Sequence, residues 1–169
     1  MKRKAIFVLS LVIILSMGLF YYNTLNSKAA DIGTEVGNQA PDFTLKNIYG
    51  EKVNLKELQG KKVFLNFWAS WCKPCEKEMP DIQKLYKNYG DKIEIIAVNM
   101  GEKKKTVMNF LEMRGYNFPI LLDSNRELSS KYLVRAVPTS YFLDSKGIIM
   151  NKHIGLINYE QMVEKMNLK

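Results

Sequence analysis

The sequence predicts an α/β domain in which helices cover both faces of a mixed β-sheet. Two observations lead to this prediction. Nearly unbroken apolar runs, typical of strands buried on both faces, alternate with segments whose apolar residues recur at helical spacing. The chain then ends in two strands, which are joined by a turn at residues 144–147, and a last helix, so the sheet gains a terminal hairpin.

The elements follow in order along the chain. Residues 42–45 and 52–55 flank a turn and predict an N-terminal β-hairpin. The apolar run 62–68 predicts a buried strand, and residues 73–89 a helix that ends at Gly90. The later elements are a strand at 93–98, a helix at 104–114, an apolar run at 119–122, a helix at 126–132, strands at 139–143 and 148–154, and a helix at 158–166.

Length and composition indicate one folded domain. The chain has 169 residues, 47% of them hydrophobic and 25% charged, which excludes a disordered, collagen-like or disulfide-dense protein. The net charge of +8 invites a nucleic-acid-binding interpretation. Several of the cations cluster at residues 2–4, however, and no arginine-rich run or basic-aromatic stripe follows, so we expect no nucleic-acid partner.

The N-terminus predicts a membrane element. Residues 5–22 carry no charge and are just long enough to cross a bilayer, so we assign 1–22 to a signal-anchor transmembrane helix with its N-terminus in the cytoplasm. A cleaved signal peptide is the alternative, with a small-x-small site at residues 27–29. In either case the rest is exported: residues 23–38 as a tether and 39–169 as the domain, which we expect to be a monomer on the extracytoplasmic face.

The two cysteines carry the chemistry. They form Cys72-Lys73-Pro74-Cys75 at the junction of a buried strand and a helix. A thiolate at a helix N-terminus faces free backbone N–H groups and the positive end of the helix dipole, which favour its ionisation. Cys75, one turn along, is placed to attack a mixed disulfide formed at Cys72, and this is thiol-disulfide exchange.

Other interpretations of the cysteine pair are weaker. A structural disulfide stabilises most when it closes a long loop, and this one closes almost none. A structural zinc site lacks a second cysteine pair, and a c-type haem site lacks a histidine at Glu76. We therefore expect neither a metal nor a cofactor.

Several motifs resemble the thioredoxin superfamily, and within it the membrane-anchored extracytoplasmic ResA-like branch. They are the Trp71-Cys72-x-x-Cys75 motif with its preceding strand, Glu78-Met-Pro80 in the helix and Val137-Pro138-Thr139 before a strand, in the order and spacing of that branch. The resemblance covers nearly the whole chain. It implies a thioredoxin-like fold and an enzyme that reduces disulfides outside the membrane; in ResA-like proteins the substrate is the disulfide of an apocytochrome c haem-attachment site.

The resemblance also implies residue roles. Cys72 attacks, Cys75 resolves, and Glu78, a carboxyl near the cysteines in ResA-like proteins, assists proton movement as a third catalytic residue. A solvated helix face is the alternative for Glu78. Val137-Pro138 would be a cis peptide, and the backbone of Val137 would pair with an extended substrate.

Other residues are assigned to the substrate surface. We expect Trp71 and Pro74 to border it and Glu102 to contribute to recognition. Lys73 departs from the acid often found between the cysteines of ResA-like proteins, so neither a cysteine pKa nor a reduction potential is carried over. Asn66 stands where thioredoxin has a buried aspartate.

The predicted function is an extracytoplasmic thiol-disulfide reductase. Its partners would be apocytochrome c or another exported disulfide-bearing protein, and a membrane thiol-disulfide electron donor. The alternatives left open are an envelope or sporulation target, a disulfide-donating oxidase and a non-catalytic peptide-binding module. A peroxidase is not favoured, because the sequence lacks a peroxide-reducing cysteine surrounded by Pro and Thr.

Overall fold

The computed structural model describes residues 12–19, 21 and 30–168. The chain divides into two compact units, Met1–Ala30 and Asp31–Lys169. In the first unit, residues 12–19 are helical. No helix within the described residues is both long enough and apolar enough to span a bilayer. Much of the predicted anchor, and residues 23–29 of the predicted tether, lie outside the described residues.

Seven strands of the second unit form one sheet in the order β2-β1-β5-β4-β3-β6-β7. The three central strands β5, β4 and β3 are parallel, whereas the two strands on each side pair antiparallel. The strands are β1 (Thr44–Asn47), β2 (Lys52–Asn54), β3 (Lys62–Trp68), β4 (Ile93–Met100), β5 (Ile120–Asp123), β6 (Thr139–Leu143) and β7 (Ile149–Ile154). This mixed sheet with its helices confirms the predicted fold class.

Four α-helices and one short 3-10 helix complete this unit. They are α1 (Lys73–Tyr89), α2 (Lys104–Glu112), α3 (Glu127–Lys131), α4 (Tyr159–Lys165) and the 3-10 helix Leu55–Leu58. Side chains buried in α1, α2 and α4 join one hydrophobic cluster, and those of α3 and the 3-10 helix join a second. The helices therefore cover the two faces of the sheet separately.

Strand β3 separates the two clusters by simple alternation. Phe64 and Trp68 belong to the cluster of α1, whereas Leu65 and Phe67 belong to the other. Successive side chains of a strand point to opposite faces, so Asn66 lies on the α1 face, between Phe64 and Trp68. Asn66 is thus a polar residue of β3 that is buried under the helix that carries the cysteines.

Residues 31–38 of the second unit run beside the last strands. Gly37 donates its N–H to the carbonyl of Ile149 at 2.9 Å, and the N–H of Ile149 donates to the carbonyl of Asn38 at 2.9 Å. Gln39 forms isolated bridges with Ile32 and Ile148. This stretch, part of the predicted tether, is therefore hydrogen-bonded to the sheet.

Candidate active site

Three strand ends meet at one edge of the sheet. Because β3 and β4 are parallel, they end together, with Trp68 opposite Asn99. Strand β6 is antiparallel to β3 and so begins where β3 ends, with Thr139 opposite Phe67. The topology therefore brings together the residues after Trp68, those after Asn99 and those before Thr139.

Cys72 and Cys75 form a disulfide at this edge. Their Cα atoms lie 5.3 Å apart. Cys72 is the N-cap residue of α1, with extended backbone, and its Sγ accepts a hydrogen bond from the backbone N–H of Cys75 at 3.2 Å. In the dithiol form the same N–H and the helix dipole would stabilise a Cys72 thiolate.

Both cysteines are buried, and Cys72 is the more exposed of the two. Cys72 keeps 5% of its surface exposed and Cys75 keeps 1%. The Cys72 Sγ also lies 3.4 Å from the carbonyl oxygen of Val137, which precedes a cis bond to Pro138. A polypeptide that reached Val137 would therefore meet Cys72 first, which favours Cys72 as the attacking sulfur.

Glu78 is buried on the inner face of α1. It is 1% exposed, on the same helix face as Cys75, which is one turn earlier, and Ile82, which is one turn later. Its Oε1 accepts from the Asn66 side-chain amide at 2.6 Å, and its Oε2 accepts from the backbone N–H of Ile157 at 2.9 Å. The structure therefore places Glu78 in the core rather than on a solvated face.

Burial changes the acidity of Glu78. Loss of solvation raises its pKa to about 7, although the hydrogen bonds from Ile157 and Asn66 favour the ionised form and partly offset this rise. A carboxyl with such a pKa is divided between its acid and its carboxylate near neutral pH. It can therefore both accept and release a proton beside the cysteines.

Asn66 suits both protonation states of Glu78. Its Nδ2 donates to the carboxylate and also approaches the Ser140 Oγ at 3.0 Å, whereas its Oδ1 is buried without a partner among the described residues. Rotation of the amide by half a turn would offer that oxygen to a protonated Glu78. An asparagine can exchange donor for acceptor in this way, and an ionised aspartate cannot.

Glu102 holds the loop that leads to Cys72. Its Oε2 accepts from the backbone N–H of Ser70 and from the Asn99 side-chain amide, both at 2.7 Å. Its Oε1 accepts from the Ser70 hydroxyl at 2.5 Å. Both oxygens are thus directed to this loop, a positioning contact that the predicted role in substrate recognition does not include.

The remaining predicted residues lie on the surface of the site. Trp71 is 62% exposed, and Pro74, in the first turn of α1, is also exposed. Glu76 pairs with Arg114 and, at 3.7 Å, with Lys73. The hydrogen bond and charge of Arg114 hold the pKa of Glu76 below its usual value.

Sequence reasoning missed the partners of the two carboxylates. Ser70 and the Ile157 backbone carry no sequence signal of such a role. Asn66 and Asn99 do carry one, since each is a fully buried polar residue within an apolar strand and must meet a polar partner. Within residues 12–19, 21 and 30–168, no three His, Cys, Asp or Glu side chains are grouped so that they could hold a metal ion.

Comparison with known proteins gives consistent matches. A family model described as the AhpC/TSA family matches residues 36–152. The thioredoxin-like protein YneN of Bacillus subtilis is 40% identical over 171 aligned residues, which cover 99% of each chain. The thiol-disulfide oxidoreductase ResA of the same species is 36% identical over 171 residues, covering 99% of this chain and 94% of ResA.

Two solved structures are also similar. The crystal structure of StoA from Bacillus subtilis matches with a TM-score of 0.66 and 36% identity, covering 74% of this chain and 96% of StoA. The exposed lipoprotein thioredoxin of Streptococcus pneumoniae matches with a TM-score of 0.68 and 32% identity, covering 75% of this chain and 98% of that protein. Each match covers about three quarters of this chain and nearly all of the other protein.

Proposed function

The chain belongs to the AhpC/TSA family and is a thiol-disulfide oxidoreductase with a thioredoxin-like fold, and we propose that it acts as a reductase of exported proteins. Its proposed substrate is the disulfide of an apocytochrome c haem-attachment site, as the resemblance to ResA-like proteins implies. The position of Cys72 supports this proposal best, since its sulfur caps a helix and lies against the Val137 carbonyl.

The reaction has two exchange steps. The Cys72 thiolate attacks one sulfur of the substrate disulfide, that bond breaks, and the released substrate sulfur takes up a proton. Cys75 then loses its proton and attacks the Cys72 sulfur of the mixed disulfide. The second substrate sulfur leaves as a thiolate and takes up a proton from solvent. The substrate has then gained two electrons and two protons, while Cys72 and Cys75 have become the disulfide.

Glu78 assists the second step in this proposal. The Cys75 thiol is almost inaccessible to solvent, so its proton needs an acceptor within the protein. Glu78 lies one helical turn away on the same face and has a pKa of about 7. Its carboxylate therefore takes the proton of Cys75 as the thiolate forms and returns it when the disulfide is reduced again.

We also propose that the reaction takes place outside the cytoplasmic membrane. The basic start and the uncharged run 5–22 support an exported domain with a membrane anchor. A protein in that compartment lacks direct access to cytoplasmic reductants. The proposed electron source is a membrane dithiol protein that reduces the Cys72–Cys75 disulfide.

The test uses purified apocytochrome c whose haem-attachment cysteines are oxidised. Reduced Cys75→Ala protein is mixed with it and quenched with acid. Because Cys75→Ala leaves the mixed disulfide unresolved, we expect a covalent complex through Cys72. The matched control is Cys72→Ala, which retains one cysteine in the same site and should form far less complex because Cys75 is covered.

The outcomes distinguish a wrong substrate from a wrong reaction. No complex with apocytochrome c, together with rapid reduction of another exported disulfide, contradicts the proposed substrate and favours an envelope or sporulation target. If the intact dithiol protein does not accelerate the reduction of any disulfide, the proposed reductase activity is wrong.

A further inference from the structure

An open groove adjoins the disulfide on the side of Val137. It has a volume of about 380 Å³. Its walls include the exposed ring of Trp71, the side chain of Met100, residues 134–137 and Arg126. Because Val137 also contacts the Cys72 sulfur, the groove is continuous with the site of attack.

The groove has two unpaired positive charges. Arg126 and Arg135 are both exposed and both line it. Among the described residues, neither guanidinium takes part in an ion pair or a side-chain hydrogen bond, and no carboxylate belongs to the lining. The nearby Glu102 directs both carboxylate oxygens to Ser70 and Asn99. The charge of the groove is therefore free for a ligand.

The neighbouring surface has the same sign. A second groove, which includes Ser70, is lined by Lys103, Lys105 and Arg114. Arg114 is paired with Glu76, but the two lysines have no ion-pair partner among the residues that the structure describes. A substrate segment that approaches the disulfide thus meets positive charge in both grooves, which favours an acidic segment and disfavours a basic one.

Chain geometry limits how far the charge can lie from the reacting sulfur. Arg135 is two residues before Val137, so their Cα atoms are at most about 7 Å apart. A substrate strand that runs beside Val137 advances by about 3.3 Å per residue. A side chain that meets Arg135 therefore belongs to a residue close in sequence to the attacked cysteine.

We propose that this groove selects substrate proteins with an aspartate or glutamate within about three residues of the attacked cysteine. The inference rests on the proposed function, since it assumes that a substrate disulfide is presented to Cys72. The planar guanidinium groups suit a carboxylate, and the Trp71 ring offers an apolar surface to the adjoining chain. The groove thus adds a preference for charge to an exchange reaction that does not itself depend on the substrate sequence.

The test measures the rate at which reduced full-length protein is oxidised by model peptides. Each peptide contains one Cys-x-x-Cys disulfide, and the residue two positions before the first cysteine is glutamate, glutamine or lysine. A second set carries the same substitutions two positions after the second cysteine. Single-turnover rate constants are determined at low and at high salt, so no electron donor is needed.

We expect the glutamate peptide of one set to react fastest and the lysine peptide slowest. Since partly exposed ion pairs are weak, the expected difference between them is roughly tenfold at low salt, and it decreases at high salt. Arg126→Gln and Arg135→Gln should each lower the ratio of the glutamate to the glutamine rate, by about threefold at most. Lys146→Gln, which removes an exposed charge from the turn before β7, is the matched control and should leave that ratio unchanged.

Three results would overturn a part of this account, and each is distinct. Equal rates for all peptides of both sets contradict the charge preference while the reductase remains. Absence of reaction with every peptide contradicts the proposed function instead. In the third result, the arginine variants keep the native peptide ratios but bind more weakly to phosphatidylglycerol vesicles. The two arginines would then contact a membrane surface, and the inference would be wrong.

Discussion

At the scale of single residues, the site depends on a buried carboxyl group whose pKa lies close to neutral pH. Glu78 has two hydrogen-bond donors, Asn66 and Ile157, yet its burial outweighs them and its pKa rises from 4.5 to about 7. Stronger or more numerous hydrogen-bond donors would keep Glu78 ionised near neutral pH, and without these donors Glu78 would stay protonated. The balance leaves a group that changes its protonation state near neutral pH.

Glu78→Gln should therefore change how stability depends on pH. Between pH 4.5 and 7 the folded state holds a proton that the unfolded state has lost, so the free energy of unfolding of the native protein falls as pH rises through this window. The total decrease is roughly 3 kcal/mol, from the shift between the two pKa values. The variant lacks this decrease, so its stability relative to the native protein should increase over the same range.

The measurement is urea unfolding of the oxidised proteins on both sides of the window. Glu57→Gln, at an exposed position of the 3-10 helix, is the control and should follow the native pH dependence. A constant difference between Glu78→Gln and native protein would refute a raised pKa. The same variant should alter the pH profile of Cys75 alkylation in the reduced protein, because the proposed proton acceptor is gone.

At the scale of elements, the start of α4 supports the site from the opposite end of the chain. Asn158 and Gln161 form a capping box: the Asn158 Oδ1 accepts from the Gln161 N–H at 2.9 Å, and the Gln161 Oε1 accepts from the Asn158 N–H at 3.1 Å. The residue just before this cap, Ile157, donates its N–H to Glu78. The cap thus fixes a backbone group that favours the ionised carboxyl.

Asn158→Ala should destabilise the protein by about 1 kcal/mol, because it leaves N–H groups of the first turn of α4 without an acceptor. Asn158→Ser keeps an acceptor of similar capping strength and should stay within a few tenths of a kcal/mol of the native protein. Urea unfolding at neutral pH measures both. Since loss of the cap loosens Ile157, the pKa of Glu78 should also rise in the alanine variant. Equal stability of the two variants would show that the capping box contributes nothing.

At the scale of the whole molecule, the sheet topology sets the relative positions of the site residues. Cys72 follows β3, Glu102 follows β4, and Pro138 precedes β6. The pairing of β3 with β4 and β6 fixes where these three ends lie relative to one another. A change of register in any one of the three strands would separate the cysteines from Val137 or from Glu102.

The direction of the reaction is a property of this whole arrangement. The helix N-terminus stabilises the thiolate and so the dithiol form, whereas the Glu78 carboxylate nearby opposes a second negative charge. These two effects oppose each other, so the proposed reductase activity sets our expectation. A reductase requires a potential for the Cys72–Cys75 pair nearer to the value of thioredoxin, about −270 mV, than to that of DsbA, about −120 mV.

Equilibration with dithiothreitol and glutathione buffers measures this potential. Glu78→Gln should make it less negative above pH 7, where the native carboxyl is ionised. The control is again Glu57→Gln, whose charge lies on the 3-10 helix that packs in the other hydrophobic cluster. A native value near that of DsbA would indicate an oxidase.

The sequence by itself determined the features that depend on neighbouring residues. Apolar runs and helical spacing predict the order of strands and helices, and two cysteines at a strand-to-helix junction predict a helix-capping sulfur with a second one turn later. Solvation and local hydrogen bonding act over a few residues, so these features can be read along the chain. The roles assigned to Glu78, Val137 and Pro138 came from resemblance and stay predictions.

Only the tertiary structure decided which distant groups meet. It joined Glu78 to Asn66 and to the Ile157 backbone, and Glu102 to Ser70. It also placed Arg126, Arg135 and Trp71 around one groove. These arrangements depend on strand register and on the packing of α1 against the sheet. A carboxylate or a guanidinium can pair with many polar groups or with water, and packing decides which of these partners it can reach. The buried asparagines of β3 and β4 required partners, but the fold alone selected them.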